Sequence, residues 1–297
     1  MAFHQTVRTQ SLGYRQPPLA EKLTEDPVTN KTAQSTVTCV YQTSIAGFWR
    51  NVTVQWCKNL MNHSLSITVD SLIAMALLEQ KGFKSFDVDG NQVDVYWDLR
   101  SAKFSGSPEP CTDYYVALVS DEEVVLLLGD YKKKAYKRTK SRPALVDATL
   151  CYKRENVFAK KCFSTRAKFD ERKQEHDIVI ESSTTGPRDP EMWISIDGIV
   201  LIHVRNLQWK FRGNQTLVLN KQPVQVFWDV HDWLFSSPGT GHGFFIFKPG
   251  SPESESDRDG SSRGGGDSDG SGSKYFSTQS YTTAPEFCLF LYAWKME

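Results

Sequence analysis

Seven cations fall between positions 132 and 142 of this chain, namely Lys132, Lys133, Lys134, Lys137, Arg138, Lys140 and Arg142, with no acid among them. The chemistry such a run offers is recognition of negative charge: a nuclear import signal, a nucleic-acid patch or a phosphoinositide contact. The competing reading is a solvated helix face joining the two units, balanced by the acidic loop at 253–269. Only Tyr131 and Tyr136 accompany the run, which is too little for a base-stacking platform and argues against sequence-specific nucleic-acid binding. The expected partner is therefore an unknown protein or an anionic surface.

Other reactive residue types lack the spacing that chemistry needs. The histidines, His4, His63, His176, His203, His231 and His242, form no HxH, HExxH or Cys/His knuckle. His176-Asp177 and His231-Asp232 are adjacent, and neighbours in a strand point to opposite faces, so neither pair is expected to act as one unit. His231 and His242 are too few to complete a zinc site, so neither a metal nor a cofactor is expected. The cluster Gly239-Thr240-Gly241-His242-Gly243 precedes a strand, whereas a phosphate loop opens a helix, so it reads as a turn. There is no GxSxG elbow and no recognisable acid pair, and no catalytic residue set is assigned. Trp97-Asp98 and Trp228-Asp229 offer a ring and a carboxylate to a ligand, but Trp on a central strand more simply fills a core.

Composition sets the frame. Lys plus Arg equals Asp plus Glu, 35 each, so no global field selects nucleic acid or membrane. No apolar run approaches the length of a membrane span, and the N-terminus lacks a signal-like apolar stretch. Cys39, Cys57, Cys111, Cys151, Cys162 and Cys288 show no CxxC pair, which reads as reduced, mostly buried thiols in the cytoplasm or nucleus.

The elements that must position these residues repeat. Lys81 to Leu99 aligns without a gap on Arg212 to Val230, keeping Gly82 with Gly213, Val93 with Val224, Val95 with Val226 and Trp97-Asp98 with Trp228-Asp229. Ile67-Thr68-Val69-Asp70 resembles Ile194-Ser195-Ile196-Asp197. Period-two alternation, as in Val52, Val54 and Trp56 or Leu65, Ile67 and Val69, predicts antiparallel strands with one wet face. The expected fold is all-β, two duplicated antiparallel β-sandwich or barrel-like units with little helix. Residues 1–34 read as a disordered arm, 35–130 as the first unit, 131–145 as a basic helical linker and 146–297 as the second unit. A Gly/Ser/acidic insertion at 250–280 reads as a disordered loop of the second unit. Strands are expected at Gln208 to Phe211 and Phe287 to Trp294, and helices at Leu72 to Gln80 and Tyr131 to Lys140.

The chain resembles the plant proteins grouped as domain of unknown function 868. The resemblance rests on Asn51-Val52-Thr53-Val54, Gln92 to Gly106, Glu109-Pro110, Tyr115 to Asp130, Lys132 to Arg142, Phe163 to Glu171, Glu191 to Val200, Trp209 to Gln215 and Pro223 to Phe247. It implies a plant source and no assigned activity. Members usually carry a longer segment before the Gly82 equivalent; here it is Ser71 to Lys81, SLIAMALLEQK. The first unit is expected to lack the strand that Ile199 to Phe211 supplies in the second, so that either a helix closes that gap or the first unit is compromised.

The expected function is that of a non-enzymatic interaction protein working through the basic run at 132–142 and the Ser-rich acidic loop. The alternative is a carrier of apolar small molecules or lipids, with Trp97 or Trp228 facing a barrel cavity. A hydrolase or isomerase with dispersed acids ranks last.

Overall fold

The computed structural model describes residues 34–59, 62–70, 73–77, 80–169, 174–184, 189–237, 240–250 and 287–296. The expectations of a disordered arm over 1–34 and a disordered insertion over 250–280 fall almost wholly outside those residues. Among the described residues 63% are strand and 6% helix, so the molecule is all-β.

The chain starts as a meander of β1 (Ser35–Ile45), β2 (Phe48–Lys58), β3 (His63–Val69) and β4 (Ile73–Leu77). A second meander follows: β5 (Lys81–Val88), β6 (Asn91–Asp98), β7 (Tyr115–Ser120) and β8 (Glu123–Leu128), with α1 (Lys132–Thr139) and the short β9 (Arg142–Pro143) after it. The long β10 (Thr149–Ala159) leads to a third meander, β11 (Cys162–Ala167), β12 (His176–Ser183), β13 (Glu191–Ile196) and β14 (Ile199–Val204). The last set is β15 (Arg212–Leu219), β16 (Gln222–Asp229), the one-turn helix α2 (His231–Phe235), β17 (His242–Pro249) and β18 (Cys288–Lys295).

These strands make three sheets. One has nine strands in the order β15-β16-β17-β18-β10-β1-β2-β3-β4; the others are β11-β12-β13-β14 and β5-β6-β7-β8-β9. Alternation explains the packing. Val37, Cys39, Val52, Val54, Trp56, Leu65 and Ile67 point from the large sheet into one core, meeting Val93, Val95, Trp97, Val116 and Leu118 from the five-stranded sheet. Val224, Val226, Phe245, Phe247, Leu289 and Leu291 point from the same sheet into a second core, meeting Phe163, Ile178, Ile180, Ile194 and Ile196. Each fully buried side chain of this size contributes about 1.5–3 kcal/mol, so the two cores dominate stability. Cys39 lies opposite Lys153, and Glu155 lies beside Leu291, so both cores occupy one face of the large sheet. The five-stranded sheet is covered on its other face as well, by Ala135 of α1 against Tyr115, Ala117, Val119 and Val124. That second cover is why β7 is buried along its whole length.

The sequence-matched stretches adopt equivalent local structures. In β5–β6 Gly82 lies opposite Trp97, and in β15–β16 Gly213 lies opposite Trp228. Each indole lies across its glycine, where a Cβ would come within 2.3 Å of ring atom Cζ2 in both hairpins. Asp70 and Asp197 both take positive φ, +46° and +51°. Each accepts a backbone N–H on Oδ1, from Asn51 at 2.9 Å and from Asp177 at 3.0 Å. Each Oδ2 then meets a basic side chain, Arg50 at 2.9 Å and His176 at 2.7 Å.

Three expectations are corrected. Ile73–Leu77 is not helical but forms β4, paired antiparallel with β3 from Leu65↔Leu77 to Val69↔Ile73. A short apolar run suits either structure, and the open edge of β3 decides for a strand. Gln208 to Phe211 is not a strand: Asn206, at φ +53°, starts a turn whose carbonyl accepts the N–H groups of Trp209 and Lys210. His231 and Asp232 lie in α2 rather than in extended chain, and adjacent helical side chains can meet: Nδ1 and Oδ1 are 3.0 Å apart.

Candidate functional site

All seven cations of the basic run are exposed. Six belong to α1 or cap it, since Lys140 takes the left-handed conformation that ends the helix. Arg142, on β9, is neutralised by Glu123 at 2.8 Å. Lys134 lies over the Tyr131 ring at 3.4 Å, and Tyr131 in turn donates its hydroxyl to Asp113 at 3.1 Å. Among the described residues no ion pair forms at Lys132, Lys133, Lys134, Lys137, Arg138 or Lys140. The first turn holds three lysines and no acid, against the helix dipole, which favours anions at that end by about 0.3–1 kcal/mol. Packing of Ala135 against the sheet offsets that penalty and fixes the cationic face in place.

The tryptophans stand differently. Trp97 is 2% exposed within its core. Trp228 is half-buried, and its Nε1–H donates to the Lys210 carbonyl at 3.2 Å. Neither lines the clefts of about 990, 450 and 220 Å³ that the described residues form.

A cleft of about 990 Å³ lies at the seam where the two cores meet. Its floor is β10 and its walls are the 105–111 loop and β11, the edge strand of its sheet. The loop is pinned at its base by the Cys111 and Lys103 N–H groups, which donate to Lys103 and Thr112 carbonyls at 2.7 and 3.0 Å. On the inward face of β10, where neighbouring positions carry apolar groups, stand Lys153 and Glu155, 8% and 2% exposed. Lys153 Nζ is 2.7 Å from Glu155 Oε1 and 3.1 Å from Glu109 Oε2, and it donates to the Arg166 carbonyl at 3.1 Å. Burial alone would lower the lysine, but the two carboxylates outweigh it and hold it well above its ordinary value. Burial pushes the nearby Cys39 thiol and the Tyr41 and Tyr114 phenols up, so these stay neutral.

Beside this triad, Arg166 reaches across the cleft from β11 to the loop. Its Nη2 donates to Cys111 Sγ at 3.0 Å and to Ser105 Oγ at 3.2 Å, while Nη1 meets Glu175 at 3.2 Å. Ser105 Oγ and Cys111 Sγ are 2.9 Å apart. Burial pushes the Cys111 thiol up, but Ser105 and Arg166 prevail and hold it below the ordinary cysteine range. Burial raises the other five thiols, Cys288 to about 11. All six cysteines are free, but Cys39 alone is fully buried, a correction to the expectation of mostly buried thiols.

The sequence marks Cys111 only as one of six thiols and Glu109 only within the family resemblance, and it marks none of Lys153, Glu155 and Arg166 individually, because these residues come from three separate stretches. The one local sign is Lys153 and Glu155 at alternate positions of a strand whose next inward residues are Val157 and Ala159. The cleft gathers carboxylates from distant strands, as a dispersed-acid enzyme would need, yet Glu109 and Glu155 are both engaged by Lys153. Among the described residues no group of three or more His, Cys, Asp or Glu side chains is placed to hold a metal, and no helix is long and apolar enough to cross a membrane.

These features define a two-core β-sandwich protein built on one shared sheet, with a polar seam and a docked basic helix. The chain belongs to the family described as plant protein of unknown function (DUF868), which it matches over residues 32–295. No curated protein and no solved structure matches it.

Proposed function

We propose that this protein is a non-enzymatic binding module, doubled from one ancestral β unit, that presents α1 to an acidic segment of a partner protein. The observation that carries the reading is the set of six exposed cations, without an ion pair among the described residues, on a helix locked to the sheet by Ala135. Cations in the first turn work against the dipole, so local helix stability does not account for them. The aromatic residues of the helix, Tyr131 and Tyr136, pack toward the sheet. That leaves little apolar surface for insertion into a bilayer and favours an acidic polypeptide. Six free cysteines suit a reducing compartment, the cytoplasm or nucleus.

The test is fluorescence anisotropy with a labelled oligoglutamate peptide, comparing the wild type with Lys133→Glu/Lys134→Glu/Lys137→Glu. Binding by the wild type should weaken with added salt, and the triple variant should bind about tenfold more weakly or worse. The substituted side chains face water, so the melting temperature should hold. Equal affinity in the two proteins would overturn the proposal, as would tighter binding to phosphatidylserine vesicles than to the peptide.

A further inference from the structure

We propose that the outer face of the nine-stranded sheet is a stacking platform for single-stranded nucleic acid, bound without sequence preference. Phe245 of β17, Leu291 of β18 and Val157 of β10 turn toward a core, so the residues between them turn the other way. On these three strands the outward residues include Phe244, Phe290, Tyr292, Trp294, Tyr152 and Phe158. None of the six joins any of the three cores, and each ring keeps contact with solvent. They meet one another instead. The Phe244 ring centre lies 4.9 Å from that of Tyr292 and 6.3 Å from that of Phe290, the latter pair nearly parallel at 9°. Tyr152 meets Phe290 at 6.0 Å, and Phe158 meets Trp294 at 6.0 Å and 14°. His242, 4.6 Å from Trp294 and 5.3 Å from Tyr292, joins these pairs into one continuous array.

The wet face of an antiparallel sheet ordinarily carries polar side chains, so folding does not account for these rings. Every base has a flat π-face and stacks on such rings whatever its identity. The charges of the face fit a phosphate backbone. Arg154, exposed, stands opposite Phe290, and Lys248 lies over the Phe227 ring at 5.5 Å. Neither forms an ion pair among the described residues. Asp229, opposite Phe244 at the margin, is matched by Arg212 at 2.7 Å. A second copy of this chain fits the face less well, because both cations would lose water with no counter-charge facing them. A duplex offers the rings no unstacked base. This face is separate from the α1 surface and stands or falls independently of it.

The experiment follows fluorescence anisotropy of labelled oligouridine and oligothymidine of about twelve nucleotides, and of a duplex of the same length, with the full-length protein. The wild type should bind single strands, the two arms separating RNA from DNA, and should bind the duplex at least about tenfold more weakly. Phe244→Ala and Tyr292→Ala should each weaken single-strand binding about tenfold. Arg154→Gln should weaken it too and flatten its salt dependence. At physiological salt, Lys133→Glu/Lys134→Glu/Lys137→Glu on α1 should leave it within about twofold. Phe244→Leu and Tyr292→Leu keep apolar bulk and lose the ring, so they decide should an alanine variant fail to fold. No binding by the wild type, equal affinity for the duplex, or folded ring variants that bind as the wild type does would overturn the assignment. So would a loss confined to the α1 variant, or a dimer in sedimentation that Phe244→Leu dissociates, which would give the face to a second copy.

Discussion

Lys153→Met is expected to destabilise the protein by about 3–5 kcal/mol, the cost of leaving a buried charge without its partner. The substitution keeps the aliphatic stem, so packing is nearly preserved. What is lost is the ammonium between Glu155 and Glu109, and the two carboxylates are left facing each other at the seam. Urea denaturation at pH 7 measures the effect as a fall in midpoint. The deficit should shrink as pH drops toward the carboxylate range, because protonation removes the uncompensated charge. In the wild type the sign runs the other way: the folded-state value of Lys153 is raised, so its contribution is complete below the ordinary lysine range and is lost only as pH climbs through the raised value. Replacing the whole group, Lys153→Met with Glu155→Leu and Glu109→Gln, should recover most of the loss. A loss below about 1 kcal/mol in the single variant would show that the seam is solvated and the triad weak.

The two glycine-indole contacts yield an unequal pair of results. Gly82→Ala and Gly213→Ala each drive a methyl group to 2.3 Å from a tryptophan ring atom, closer than any real contact. Overpacking of this kind costs about 1–3 kcal/mol, and where in that range depends on whether the ring can yield. Trp97, 2% exposed, is walled in by Val95, Val116 and the rest of its core. Trp228 is half-buried, held by one hydrogen bond to Lys210, and can swing outward. Gly82→Ala should therefore fall near about 3 kcal/mol and Gly213→Ala near about 1 kcal/mol. Thermal or urea unfolding separates the two. A double-mutant cycle of Gly82→Ala with Trp97→Phe should be markedly non-additive, since the smaller ring relieves the clash. Equal losses at both glycines would refute the role given to exposure.

The strands were legible wherever one face is apolar and the other polar. Val93, Val95 and Trp97 against Gln92, Asp94 and Tyr96 is such a case, and the hairpin closes where the alternation says. Alternation carries no information about which distant strand lies alongside. That is why the sequence suggested two side-by-side units while the pairing of β1 with β10, more than a hundred residues apart, became visible only in the fold. The seam was hidden for the same reason: Glu109, Lys153 and Arg166 are unremarkable in their own neighbourhoods and meaningful only together. The basic helix was legible because its signal is local in both charge and period. Ile73–Leu77 misled because five apolar residues satisfy a helix and an edge strand alike, and only the bare rim of β3 distinguishes them.

Strand β10 is antiparallel to β1 on one side and parallel to β18 on the other. Its backbone amides and carbonyls are thus committed to both halves, and neither half owns a finished sheet. A truncated protein ending before Thr149 would bare a long rim on β1, a template for pairing with any extended chain it meets. One half cannot readily be traded away or spliced elsewhere, because β10 completes the sheet of both; a calorimetric scan of the intact protein should show a single endotherm.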